Sequence, residues 1–465
     1  MSDPTGPDAT AAGIAAAVAA GEVTAQAVTE AALARVAARN GLLNAFTDVL
    51  AARALATAGR VDARRAAGER PGPLAGVPFA VKNLFDIEGL PTRAGSLINR
   101  ERAPAARDAA LVRRLEAAGA VLLGGLNMGE YAYDFTGENA HDGPSRNPHD
   151  PSRMTGGSSG GSGGAVAAGM VPLALGSDTN GSIRVPAAFC GLFGLKPTYG
   201  RLSRAGSFPF VSSFDHLGPL GRSVDDLALA YDALQGEDPD DPAQAPRGAE
   251  PLRGLVEAGA EGLRIAVAGG HFARNGDPEC FAAVARAVGA LGAAATVEIP
   301  EAPRARAAAF VITAAEGAAL HLDRLRERPA DFDPATRDRL IAGTAIPAVW
   351  VMRAQRFRRW YRERVLALFE EVDVILAPAT PCRAPALGQA TIVMDGATLP
   401  LRPNIGVFTQ PISFIGLPVC AVPVWVDEGL PLGVQVIAPP WREDLALRVA
   451  RALERAGAAG CRAAP

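Results

Sequence analysis

The sequence predicts an α/β protein, and three observations carry that expectation. From residue 76 onward, short apolar runs of strand length alternate with amphipathic stretches of helix length. Glycine- and proline-bearing turns separate them, as α/β units require. Of the 465 residues, 49% are hydrophobic, ample for a sizeable core.

Residues 9–68 are alanine-rich with helical periodicity, which predicts a helical lead-in over 1–70 with Thr24 as an N-cap and a break at 41–46. GVPFAV, starting at Gly76, reads as a strand that sets Lys82 at its end. A helix over 108–119, closed by Gly119, leads to the strand AVLLGG. Between 154 and 200 the pattern is a loop, a small-residue helix over 160–169, the strand VPLALG at 171–176, a tight loop, and a second helix starting near Ser182. LRIAVAGG and ATVEIP read as strands around the helix DPECFAAVARAVGALG. Long helices follow over 303–328 and 347–371, then the strands VDVILAPA, VCAVPVWV and LGVQVIAP, and a closing helix over 441–456. The acidic, proline-containing stretch 235–251 reads as a surface loop, because the alternation resumes beyond it.

A net charge of -3 with interspersed acids and bases gives no footprint for direct nucleic-acid contact, and no polybasic run suggests a membrane surface. The expected partner is a small molecule. The N-terminal MSDPTGPDAT has no charged leader or apolar core, and no 18-residue apolar run occurs, so a cytoplasmic protein is expected. Five scattered cysteines include no C-x-x-C pair, and five histidines include no metal-ligand spacing. No metal and no cofactor is expected.

Chemistry concentrates in two glycine-rich loops, TGGSSGGSGG at 155–164 with Ser158 and GSDTNGSIRVP at 176–186 with Ser182. Such backbone can approach a carbonyl closely and aim several N–H groups at one oxygen. Because the second loop opens a helix, Thr179, Asn180, Gly181 and Ser182 are placed to hold an oxyanion. A serine needs a base, and among 46 Lys and Arg only Lys82 and Lys196 are lysines, the cation that can give up its proton. Burial would lower the pKa of Lys82 enough for that role. Lys196, without a polar neighbour in GLKPT, reads as structural. Gly160 to Gly164 also match G-x-S-x-G, but the polar, proline-broken RNPHDPSRMTG before them is unlike the strand that a nucleophile elbow requires. The run lacks the G-K-[ST] ending of a phosphate loop as well.

The chain resembles the amidase signature family through GVPFAVKNLFD, ENAHDGPSRNPHDPSRMTGGSSGGSGGAVAAG, LGSDTNGSIRVPAAFCGLFGLKPTYGR, APATPCRAPALG and GLPLGVQVIA, which together span nearly the whole chain. The resemblance implies one domain over 1–465, built on one large mixed β-sheet covered by helices on both faces. Its signature core would lie at 76–230, and 231–465 would continue the same sheet and its covering helices. It implies Ser182 as acyl nucleophile, Ser158 as bridging serine after a cis peptide bond from Gly157, and Lys82 as general base. The backbone N–H groups of residues 179–182 would form the oxyanion hole, and Thr155, Ser159 and Asp178 would orient the relay.

By the same resemblance the pocket rim holds Tyr133, Asp134, His141 and Gln410, with Arg184 either meeting a substrate carboxylate or bracing the loop. Asn180 stands where glycine is usual in the family, and Ser413 where asparagine is common. The implied reaction is hydrolysis of a short carboxylated ureide with ammonia release, in an oligomeric assembly with a small helical accessory subunit. The alternatives are a glutaminase-type A subunit of a tRNA amidotransferase and a catalytically silent assembly subunit.

Overall fold

In a computed structural model describing residues 3–292 and 295–465, eleven strands form one mixed sheet. In chain order these are β1 (Phe46–Val49), β2 (Pro78–Lys82), β3 (Val121–Leu126), β4 (Leu173–Asp178), β5 (Phe193–Lys196), β6 (His216–Gly221), β7 (Ile265–Ala268), β8 (Ala295–Val297), β9 (Val374–Pro378), β10 (Val419–Val424) and β11 (Leu432–Ile437). Across the sheet they run β1-β3-β2-β4-β6-β5-β10-β11-β9-β7-β8. β2 pairs in parallel with β3 and β4, and β7 with β8 and β9, while the remaining neighbours are antiparallel. Strands β2 to β6 and β9 to β11 are buried at every position, which demands cover on both faces. The cover thins only at the sheet margins, where β1, β7 and β8 carry exposed or half-buried residues.

The lead-in consists of three helices, Ala11–Ala20, Ala25–Leu43 and Ala51–Ala66. Thr24 caps the second by accepting from Ala27 N, and Asn44 ends it in the left-handed region at φ 50. The long helices fall at Ala302–Glu327 and Ala348–Leu368, and the closing helix at Glu443–Arg455 starts only after Trp441, whose φ of 67 is incompatible with a helix. Residues 235–251 carry no helix or strand, and strands from both sides of them share the sheet.

Two segments differ from expectation. RNPHDPSRMTG contains a small antiparallel ribbon, Arg146–Asn147 with Asp150–Met154, separate from the main sheet. The strand does run toward the glycine loop, but Ser162 sits within the helix Gly160–Ala167, where its hydroxyl donates to Leu175 O at 3.0 Å. A residue so engaged cannot present an elbow nucleophile. A second ribbon, Thr391–Met394 with Ala397–Pro400, has no counterpart in the sequence reading.

Candidate active site

Because β2 and β4 are parallel neighbours, with Val81 opposite Leu175, their C-terminal ends bring Lys82, Ser177 and Asp178 to one edge of the sheet. The cis peptide Gly157–Ser158 lies there too. Lys82 is fully buried, with Nζ 2.6 Å from Ser158 Oγ and 2.9 Å from Ser177 Oγ. Burial pulls its pKa down to about 7, against the opposing pull of the Asp134, Asp178 and Asp215 carboxylates. A neutral amine can donate to one hydroxyl while accepting from the other, so this lysine is equipped to draw a proton from Ser158.

Lys196 is the control. It too is fully buried and brought to about 7 by burial, yet its Nζ meets only the carbonyls of Pro197 and Leu417. A carbonyl has no proton to give, so the same shift produces no base.

Ser182 lies in the loop between β4 and the helix Arg184–Cys190. It lines a narrow cleft with Ala132, Tyr133, Phe210, Phe310 and Thr313. The N–H groups of Asn180, Gly181 and Ser182 donate to no protein acceptor among the described residues. That leaves them free for an oxyanion. Gly181 has φ 142, and a Cβ there would come 2.3 Å from Thr409 Oγ1, so only glycine fits. Thr409 Oγ1 donates to Asn180 O at 2.7 Å, while Thr179 Oγ1 donates to Asp215 at 2.7 Å.

Below this loop lies a buried brace. Asp178 accepts from Ile183 N at 3.3 Å and from Arg184 Nε at 2.9 Å, tying the helix start to the strand end. Burial alone would raise the Asp178 pKa, but the adjoining Arg184 guanidinium outweighs it and holds the carboxyl well below its usual range. Arg184 is fully buried and also donates to Thr409 O, Gln435 Oε1, Asp178 Oδ1 and Ser413 Oγ. All five of its N–H donors are thereby used. These bonds are those of a brace, the second of its two roles open in the sequence, and they leave no donor for a substrate carboxylate. Ser413 belongs to the same cluster, donating to Asp178 Oδ1 at 3.2 Å.

Among the other rim residues, Tyr133, Asp134 and Gln410 line the cleft and His141 does not. His141 Nε2 instead meets Glu130 Oε1 at 3.1 Å, and that hydrogen bond raises its pKa. The Asp134 carboxylate accepts from Thr136 N at 2.9 Å and Gly137 N at 2.6 Å, and pairs with Arg402. Gln410 Oε1 accepts from Arg306 Nε at 2.9 Å. Thr155 Oγ1 donates to Gly156 O at 3.2 Å, and Ser159 Oγ donates to Ser177 O at 3.2 Å, placing both beside the Ser158 loop.

Sequence reasoning missed Ser177, Thr313 and Arg339. Ser177 could have been found by strand alternation once β2 and β4 were known to be neighbours. Thr313 and Arg339 carry no local signal. Arg339 lines the cleft with its guanidinium 3.9 Å from the Tyr133 ring centroid and donates to Ala335 O and Tyr133 O. Among the described residues no carboxylate pairs with it, and burial lowers its pKa.

The amidase family model matches residues 27–447. The chain is 58% identical over 444 residues to AtzE, a component of the 1-carboxybiuret hydrolase of Pseudomonas sp. (strain ADP), covering 95% of this chain and 97% of that one. It is 40% identical over 469 residues to the A component of the glutamyl-tRNA(Gln) amidotransferase of Anaeromyxobacter dehalogenans (strain 2CP-C), covering 94% of each. A solved structure from a vestigial protein complex, tied to the evolutionary origins of an s-triazine catabolic enzyme, superposes with a TM-score of 0.96 at 56% identity over 97% of this chain and 100% of that one. The chain belongs to the amidase signature family and is a hydrolase of carbon–nitrogen amide bonds.

Proposed function

We propose that this amidohydrolase removes ammonia from a short carboxylated ureide of the 1-carboxybiuret type through a Ser-Ser-Lys relay. The observation that carries the reading is Arg339, a cleft-lining cation without a carboxylate partner among the described residues. The one carboxylate on the cleft wall among the described residues, Asp134, is already committed to Arg402 and to its own turn. Such a cleft attracts an anion and holds no free carboxylate among the described residues for an α-ammonium group. That favours a ureide carboxylate over the zwitterion glutamine, and the relative of higher identity points the same way.

In this reading Ser182 Oγ attacks the terminal carboxamide carbon while its proton passes through Ser158 to neutral Lys82. The developing oxyanion is held by the N–H groups of residues 179–182. Collapse breaks the carbon–nitrogen bond, the leaving nitrogen takes the proton back along the relay, and ammonia departs. Water then attacks the acyl-enzyme by the same path. Since the superposing structure comes from a complex and AtzE is itself one component of its hydrolase, we infer that this chain also works in an assembly with a small helical accessory subunit.

The test is ammonia release from 1-carboxybiuret, biuret, glutamine and simple amides, with and without a candidate accessory subunit. The carboxylated ureide should give the highest kcat/KM. Equal or faster turnover of glutamine would favour the tRNA amidotransferase reading. Failure of a fluorophosphonate to label Ser182 would favour a silent assembly subunit.

A further inference from the structure

We propose that Asn180 is a specificity-determining residue whose Oδ1 accepts a hydrogen bond from the substrate N–H on the acyl side of the scissile carbonyl. The proposal rests on the ureide reading above and sharpens it. Asn180 lines the cleft two positions before Ser182 and is only 7% exposed. Its Nδ2 donates to Thr313 Oγ1 at 3.0 Å, and its main-chain oxygen accepts from Thr409 Oγ1 at 2.7 Å, so both ends of the residue are held. Its Oδ1 is buried and has no partner among the described residues.

A buried amide oxygen rarely stays unpaired, because a lost acceptor contact carries its full desolvation cost. A purely bracing role explains the bond to Thr313 but leaves Oδ1 unexplained. The substrate class supplies the missing donor. A ureide carries N–H on the acyl side of its carbonyl, where glutamine and other carbon-acid amides carry CH₂. One acceptor at this place therefore separates the two chemistries, and Arg339 answers for the carboxylate independently. An acceptor with no partner and a cation with no carboxylate among the described residues thus match two features of one molecule.

The experiment uses the full-length Ser182→Ala chain, which binds without turnover, and a matched pair of stable probes, N-carbamoylglycine and succinamate. These differ only by N–H against CH₂ beside the carboxamide carbonyl, and both carry the carboxylate. Calorimetry should show N-carbamoylglycine binding about 10- to 100-fold more tightly. Adding Asn180→Ala should collapse that ratio toward one by weakening N-carbamoylglycine while succinamate keeps its Kd. Asn180→Asp retains an acceptor and should preserve the ratio, even as its charge weakens both probes. Equal Kd values before mutation, or a ratio that survives Asn180→Ala, would overturn the role of Asn180 and leave the carboxylated-substrate reading standing. Binding of neither probe, with glutamine bound instead, would overturn that reading and this inference with it.

Discussion

The brace under the Ser182 loop and the wall of the cleft are built from the same polar residue types, and they differ in how completely those groups are paired. In the brace, Arg184 uses every donor on Asp178, Gln435, Ser413 and Thr409. On the wall, Arg339 has only two carbonyls and Asn180 leaves its Oδ1 empty. A buried polar group holds a scaffold together only when its partners are within the protein. Groups left open are where a ligand must supply the other half. The two buried lysines repeat the lesson, since burial brings both to about 7 and only Lys82 touches hydroxyls.

The sharpest way to break this contrast is at Ser182, the proposed nucleophile. Ser182→Ala should cut ammonia release by about 10⁴-fold or more while leaving the urea midpoint unchanged, because the hydroxyl lines a cleft and holds nothing together. Lys82→Met should lose as much turnover, and the double variant little more, since relay members act as a unit. Steady-state kinetics beside unfolding curves checks this, and a large stability loss in Ser182→Ala would place that residue in the scaffold. Next in size is the brace. Arg184→Met leaves Asp178 buried without its partner, and urea unfolding should show a loss of about 3–5 kcal/mol.

These contrasts also explain what could be read from the sequence. The strand and helix alternation from 76 to 200 was legible because each element has its own periodicity and its own glycine or proline stops. The two serine loops were legible because so many glycines in sequence have few uses, and Lys82 because lysine is so rare in this chain. The order of strands was not legible, since β10 lying beside β5 depends on pairing across more than two hundred residues. Arg184 was open to two roles because nearness to Ser182 in sequence says nothing about direction. Its partners Ser413 and Gln435 come from far along the chain. Arg339 and Thr313 were silent for the opposite reason: they occupy ordinary helices, Pro334–Thr344 and Ala302–Glu327, and one arginine among many carries no motif.

Arg339→Met sharpens the comparison from the cleft side. Because the guanidinium has no protein carboxylate to orphan, its removal should leave the urea midpoint nearly unchanged, unlike Arg184→Met. KM for a carboxylated ureide should rise by about 10- to 100-fold, the scale of one charge-assisted contact, whereas an uncharged amide should be indifferent. An equal loss on charged and neutral substrates would assign Arg339 to the scaffold.

The smallest effect separates the two lysines by pH. In the proposed relay, proton transfer to Lys82 needs the neutral amine, so kcat/KM should fall about tenfold per pH unit below a pKa of about 7. Lys196→Met should leave that limb in place, because Lys196 touches only carbonyls. Stability behaves differently. Between about 7 and the ordinary lysine value of 10.5, the unfolded chain holds a proton on each lysine that the folded chain has shed, so unfolding takes up protons and stability rises with pH. Each lysine contributes a slope of up to about 1.4 kcal/mol per pH unit in that window. Lys196→Met should therefore flatten the stability curve by one lysine's share without moving the activity limb, and a shift of the limb itself would mean that the two buried amines titrate as one system.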